Sequence, residues 1–538
     1  MNLIQSPEKL FSVIALTFLV LLTYANSLQN EFLSDDIPSI VQNENIKTFS
    51  FVIANPLAAV QPFIYFLIYR IAGPNPAAFR LVNILFHVGT VWLIYLIISR
   101  LINSKVAFIS AAIFAVHPIL TESVTWISGG PYSWYSFFFL LSFLTYIRSH
   151  NLNSYIISLA FFIISMSLNP KAISLPFIFF LYEIALAKDK NWAKTLPFFF
   201  VSGIWGLHLV GLVGQRLSSV QAFFPQASGI YNPAVQIPIA ITSYLKLIFW
   251  PKDLTLYHSE LSVTRFEYAL QIIVFLLFLG LVLYSFRHNR LVFFWLSFFF
   301  ISLLPTLTPL RLGWVVAERY VYLGSIGIFV VISLVLYKLS KLHHVKIASY
   351  IIFGLIITAL CARTVNRNID WRSEDNLWIA TAKTSPSDPQ THNNMGDVYG
   401  RHGDLSSAAR EFEIAIQLNP NYAAAYHNLG NTLRDMGERG KAIENYQKAV
   451  SFDPNLWQSY QNLAAIYWGQ NKLDLTRDNL QKAIAINHHS SDLYANLGVI
   501  YLVQDNKDDA KKAFLEALNI DPENPRAKAG LEKTIAPN

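Results

Sequence analysis

The sequence predicts an all-α protein in two parts: a polytopic helical bundle in a membrane, followed by an α-solenoid. Three observations carry this. The 538 residues are 53% hydrophobic and only 14% charged, with mean hydropathy +0.37, whereas soluble domains carry about 25% charged residues. Charge is divided along the chain: residues 1–370 hold 24 Lys/Arg against 13 Asp/Glu, and residues 371–538 hold 17 against 21. The second stretch also repeats itself at a fixed step of 34 residues. The high pI, about 9.1, therefore belongs to the apolar part and implies no nucleic-acid partner. A single cysteine, Cys361, excludes an intrachain disulfide and a multi-cysteine metal site.

The first apolar run, Leu10–Leu28, is long enough to cross a hydrocarbon core of about 30 Å. No small-residue cleavage site followed by soluble sequence comes after it, so it is read as a retained helix. Further runs at 78–99, 106–120, 131–147, 154–168, 172–187, 196–214, 267–286, 291–307, 315–337 and 347–361 give about eleven crossings. The Pro-punctuated stretches 56–72 and 235–250 read as re-entrant or interfacial helices. With the N-terminus inside, every cytoplasmic segment is basic: Lys9; Arg100 and Lys105; Arg148; Lys188, Lys190 and Lys194; Arg287 and Arg290; Lys338, Lys341 and Lys346. An odd count of crossings puts the C-terminal part on the non-cytoplasmic side: periplasmic, extracellular or lumenal.

In that part Pro386, Pro420, Pro454, His488 and Pro522 stand 34 residues apart. So do Gly396, Gly430, Ala464 and Gly498; Ala408, Ala442, Thr476 and Ala510; and Phe412, Tyr446, Leu480 and Phe514. Small residues where two helices cross, large ones between neighbours and Pro at the closing turn make a tetratricopeptide signature. Such an array presents a concave face for a peptide or protein.

Four polar clusters collect on the non-cytoplasmic side, where charge near the membrane is costly unless used or paired. They are Asp35-Asp36 after the first helix; His117 and Glu122; Lys171; and Glu318-Arg319-Tyr320, with Arg311 just before it. Adjacent carboxylates can supply a general base. Lys171 and Arg319 are cations away from the basic turns, and a phosphate ligand is a reason to keep them there. One His and one Glu form a weak metal signal, so a metal requirement stays open. No Gly-rich phosphate loop or nucleophile elbow is present.

Taken together these residues resemble the multispanning O-mannosyltransferase-like proteins with tetratricopeptide repeats, glycosyltransferases of the GT-C superfamily. The resemblance rests on Asp35-Asp36, on Phe79-Arg80-Leu81-Val82-Asn83 with His87, and on His117-Pro118 with Glu122. It continues with Lys171, Glu318-Arg319-Tyr320-Val321-Tyr322, and the junction from Arg367 to Trp378. It differs from the family at Leu120, Gly129-Gly130-Pro131-Tyr132, Ala172 and Arg80. The resemblance implies a polyprenyl-phosphate-linked sugar as donor, a Ser/Thr hydroxyl of a protein as acceptor, and a mannose-like sugar. Asp35 or Asp36 would be the base, Lys171 and Arg319 would hold the donor phosphate, and His117, Glu122, Glu318 and Tyr320 would line the pocket. It implies a GT-C-like membrane domain over 1–365, a junction over 366–386, and a repeat domain over 387–538. The repeats run 387–420, 421–454, 455–488 and 489–522 before a cap. Two other readings are a membrane-anchored repeat scaffold for envelope assembly without catalysis, and a transferase acting on a glycan or lipid.

Overall fold

A computed structural model describes the chain except residues 1–6, 50–58, 150, 224–231, 259–263, 308–313 and 536–538. The described residues contain helices and turns and no strand. Two compact units divide at Ser385 and Pro386.

In the first unit five helices are long and apolar enough to cross a membrane: Pro7–Gln29, Pro76–Leu101, Trp192–Gly211, Arg265–His288 and His343–Asp370. A sixth passes only as a pair, Ser104–Val116 with Pro118–Val124, bent by 57°. The bend has a local cause. Pro118 has no N–H to continue the ladder, and the His117 imidazole instead accepts the Ile119 N–H at 3.2 Å. Shorter apolar helices are Val60–Ala72, Leu152–Leu168, Pro233–Phe249, Arg290–Thr306 and Ser325–Leu339. Thirteen to seventeen residues rise only about 20–26 Å, less than a hydrocarbon core. The run read at 315–337 therefore divides: Glu318–Val321 is a 3-10 turn, and the helix proper starts at Ser325. Part of the 56–72 stretch, and Arg311, lie outside the described residues.

Asparagines start many of these helices. Asn75, Asn103, Asn151, Asn232 and Asn289 each accept a backbone N–H of the following first turn, satisfying donors that the helix leaves orphaned. The core between them is dominated by aromatic pairs, such as Phe179 with Phe198 at 4.4 Å and Phe143 with Phe294 at 6.2 Å.

The helices Pro7–Tyr24, Pro76–Leu101, Ser104–Val116, Ser325–Leu339 and Lys346–Asp370 share both of their ends. At one end the N-terminal turn of Pro76–Leu101 sends Arg80 to the carbonyls of Asn30, Glu31 and Thr125 at 2.7–2.8 Å. Close by, the Asn26 amide donates to Val365 O, and His87 pairs with the Tyr322 hydroxyl at 2.7 Å. The candidate site is built at this end.

The second unit stacks four helix pairs, Pro389–Arg401 with Leu405–Leu418 through Ser491–Val503 with Lys507–Ile520, closed by Pro525–Ile535. Its packing explains the period. A Cβ on Gly396, Gly430 or Gly498 would lie 2.6–2.7 Å from the ring of Phe412, Tyr446 or Phe514. Where Leu480 replaces the ring, Ala464 replaces the glycine. Side-chain volume is thus conserved across each crossing.

Candidate functional site

The described residues of the clusters read from the sequence sit where longer helices end or start, Glu122 in the one-turn helix Thr121–Val124 and Glu318-Arg319-Tyr320 in a 3-10 turn, and the structure gives them different jobs. The first loop follows the Pro7–Gln29 span. Asp36 is fully buried. Its Oδ1 accepts the Ser128 hydroxyl at 2.5 Å and the Ser128 N–H at 2.8 Å, and its Oδ2 accepts the Leu33 N–H at 3.1 Å. Burial raises its carboxyl to about 6, against the lowering effect of those hydrogen bonds. Asp35 is exposed beside it. Between Leu33 and the pair, Ser34 takes a left-handed φ of 49°, a conformation rare for a residue with a Cβ and characteristic of overdetermined sites. Its N–H donates to Glu374 Oε1 at 2.9 Å.

Residues 121–132 form the floor. Glu122 is buried and ion-paired to Arg319, whose own N–H donates to Glu122 Oε2 at 2.7 Å. The turn that follows needs its glycines: a Cβ on Gly129 would meet Glu122 O at 2.0 Å, and one on Gly130 would meet Asn83 Oδ1 at 2.0 Å. Asn83 donates to Trp126 O at 3.1 Å and accepts Trp134 Nε1 at 3.0 Å, fixing that turn. The departures at Arg80 and Gly129-Gly130-Pro131-Tyr132 are therefore parts of the architecture. Arg80 clamps the two loops, and Tyr132 brings a hydroxyl into the site.

Lys171, in the turn Pro170–Ser174, donates to that Tyr132 hydroxyl at 2.9 Å. Its ammonium also lies 3.0 Å from the centroid of the Tyr320 ring. The guanidinium of Arg319 stands 5.2 Å from the Tyr320 ring and 5.6 Å from Trp126. The structure thus joins Lys171, Tyr132, Tyr320, Arg319, Glu122 and Trp126 in one cluster. It holds two cations against one carboxylate, walled by π-faces that stabilise positive charge. An anion entering it would meet fixed donors at little reorganisation cost.

Three predicted residues are occupied elsewhere. His117 Nε2 donates to Ile248 O at 2.9 Å while Nδ1 caps its own turn, so the imidazole is consumed as a brace. Glu318 turns from Arg319 toward the junction. It accepts the Thr255 N–H at 2.5 Å and lies 3.5 Å from the Arg367 guanidinium. Asp36 holds the Ser128 turn, as above. Sequence reasoning passed over Trp126 and Ser128 and gave Arg367 and Asn368 no role. The last is a hub: Asn368 Oδ1 accepts the Thr125 hydroxyl at 2.7 Å, and its amide reaches Thr23 O and Asn26 Oδ1. The junction motif had flagged Arg367 and Asn368 without giving them work. For Trp126 and Ser128 nothing in the sequence marks a partner. Among the described residues no group of three His, Cys, Asp or Glu could hold a metal ion.

Residues 56–213 match the dolichyl-phosphate-mannose-protein mannosyltransferase family, and residues 430–471 and 467–533 match tetratricopeptide repeat families. The matched membrane segment contains Arg80, Asn83, Glu122, Tyr132 and Lys171; Asp35, Asp36 and Arg319 lie outside it. The chain is similar to the protein O-mannosyl-transferase TMTC3 of Homo sapiens, 25% identical over 74% of this chain and 50% of that protein. It is also similar to the protein O-mannosyl-transferase F38B6.6 of Caenorhabditis elegans, 24% identical over 76% of this chain and 63% of that one. Among solved structures, MamA matches 27% of this chain and 80% of its own, at 27% identity and a TM-score of 0.26. The chain spans about half the length of the TMTC3 proteins it matches. It is an integral membrane protein in which a segment matching the dolichyl-phosphate-mannose-protein mannosyltransferase family model precedes segments matching tetratricopeptide repeat families.

Proposed function

We propose that the chain is a membrane glycosyltransferase that moves a mannose-like sugar from a polyprenyl phosphate to a Ser or Thr hydroxyl of a protein. The observation that carries this reading is the Lys171–Tyr320–Arg319–Glu122 cluster, at the same end of the unit as the acidic loop. Lys171 and Arg319 take the donor phosphate. Asp35, the exposed carboxylate, removes the acceptor proton. The acceptor oxygen bonds to the anomeric carbon as the carbon–oxygen bond to phosphate breaks, and polyprenyl phosphate leaves with the negative charge. A single displacement inverts the sugar. Asp36 is a positioning residue that acts through Ser128. When it takes up a proton, an O–H faces N–H donors, so transfer falls as pH drops through about 6.

Orientation follows from charge. The opposite ends of the same helices carry Lys9, Arg100, Lys105, Lys338 and Lys346, the mark of a cytoplasmic face. The site then faces away from the cytoplasm. The Lys346–Asp370 helix runs from the basic end to the site end, so the chain that follows it emerges on the non-cytoplasmic side, and the repeats on that side raise the local concentration of acceptor protein. The test is transfer from a lipid-linked mannose to a protein in a membrane preparation. Arg319→Met and Asp35→Asn are each expected to lose about 100-fold or more. Unchanged transfer in both variants would refute the reading.

A further inference from the structure

The five helices whose ends flank the site form a cavity at their other ends. It has a volume of about 390 Å³ and is open on one side, within the range of small-molecule clefts. The starts of Pro7–Tyr24, Ser104–Val116 and Lys346–Asp370 and the ends of Pro76–Leu101 and Ser325–Leu339 contribute to it. Its wall is apolar, with Phe11, Phe108, Ile109, Leu336 and Phe353. Lys105 lines it too, with hydroxyl groups such as those of Ser104, Tyr337 and Tyr350. Lys105 is exposed, and no described carboxylate pairs with it.

An apolar hole with a cationic, hydroxyl-bearing mouth has the polarity of a lipid turned inside out. The charge around it selects among lipids. The terminal turns and linkers of these five helices hold six cations, Lys9, Arg100, Lys105, Lys338, Lys341 and Lys346, against one carboxylate, Glu8. Lys341 lies 4.7 Å over the ring of Tyr337, which lines the cavity. Glu8 also lines the cavity and locally opposes the cations, but it is outnumbered. Basic pockets between membrane helices on the cytoplasmic side suit anionic headgroups, since that leaflet carries the anionic lipids.

We propose that this cavity is a binding site for an anionic glycerophospholipid, with an acyl chain between Phe108 and Phe353 and the phosphate at Lys105. The site lies at the far end of the five helices from Lys171 and Arg319, so it is separate from the place where a donor lipid would react. The proposal rests on the cavity and the charge of this end, and it stands whether or not the protein transfers sugar.

The experiment uses the full-length chain in detergent micelles doped with either phosphatidylglycerol or phosphatidylcholine, with bound lipid counted by native mass spectrometry. The wild-type chain is expected to retain one phosphatidylglycerol in preference to phosphatidylcholine. Lys105→Gln, an exposed change, is expected to lower retention about fivefold, the fold-change of one membrane-surface cation. Ile109→Trp, which fills the cavity and keeps the charge, is expected to abolish retention of either lipid. Equal retention of the two lipids by the wild type would overturn the proposal. So would undiminished phosphatidylglycerol on Lys105→Gln, or its displacement by inorganic phosphate alone, which would make the site one for a free anion. If Ile109→Trp does not fold, Lys105→Gln decides alone.

Discussion

The two units of this chain solve the same packing problem with opposite economies. The repeat unit uses one solution four times: a small residue against a large one, 34 residues on. Its contacts are local, so each is written in the sequence beside its copies. The membrane unit uses each solution once. Arg80 reaches 45 residues to Thr125, Arg319 reaches 197 to Glu122, and Ser34 reaches 340 to Glu374. Repetition makes a fold readable and tolerant of change. Single long-range braces make a site that one substitution can undo.

The largest expected effect is therefore in the membrane unit. Arg319→Met leaves Glu122 buried and uncompensated, a loss of about 3–5 kcal/mol for a broken buried pair, alongside the loss of transfer. The double variant Glu122→Gln, Arg319→Met is expected to regain much of the stability and none of the transfer. Thermal unfolding of the two variants beside the wild type checks the first half, and the transfer assay checks the second. Equal instability of the single and double variants would show that the pair is not what holds this region.

The repeat unit offers the matched experiment. Gly430→Ala pushes a methyl into the Tyr446 ring, whose nearest atom would be 2.7 Å away, and overpacking of this kind costs about 1–3 kcal/mol. The third repeat already shows the cure, with Ala464 against Leu480. Gly430→Ala combined with Tyr446→Leu is expected to lose less than Gly430→Ala alone. Part of the tyrosine's contribution goes with it, because its hydroxyl donates to Asn431 Oδ1 at 2.7 Å. Urea unfolding of residues 386–538, compared by midpoint, measures both.

What the sequence made legible follows the same division. The helical class, the repeat register and the acidic, His, Lys and Arg loops were all readable, because period and charge asymmetry are local signals. Which loop residue meets which was not. His117 and Glu122 look equivalent at five residues' separation. Yet one is spent on the Ile248 carbonyl and the other holds Arg319. Neighbouring Glu318 and Arg319 point to different partners, Arg367 and Glu122. Tyr132, read only as a departure, supplies the hydroxyl that Lys171 binds. Such pairings depend on where helices end, and the 57° bend at Pro118 and the late helix start at Ser325 are tertiary outcomes.

A smaller effect comes from acid. His427 donates from Nδ1 to Ser459 Oγ at 2.7 Å and accepts the Asn431 amide at Nε2 at 3.1 Å. Burial, and then Arg434 nearby, push its imidazole down to about 4. The unfolded chain takes up this proton near pH 6.5 and the folded one resists it. Stability is thus fully present above about 6.5 and falls as pH drops toward about 4, by on the order of 2 kcal/mol. His427→Gln is expected to flatten the pH dependence of the urea midpoint between pH 7 and 4. An unchanged slope would assign that dependence to other groups.

The smallest effect tests how exactly the repeats copy one another. The turn within each pair has one residue in the left-handed region, at the same position every time. These are Gly403 and Gly437 at φ 80° and 84°, and Asn471 and Asp505 at φ 56° and 59°. Glycine adopts this conformation freely, while a side chain adds strain that Asn and Asp bear better than most. Asp505→Gly relieves that strain but gives the unfolded chain more freedom, so the net gain is expected to be about 0.5 kcal/mol. Asn471→Gly should give no more. Gly437→Ala should cost about 1 kcal/mol, since alanine gains strain with no polar group to offset it. Urea midpoints of the three variants rank them. A loss on Asp505→Gly would mean that its carboxylate contributes more at this turn than the backbone strain it carries, so that the fourth repeat differs from the first in chemistry as well as sequence.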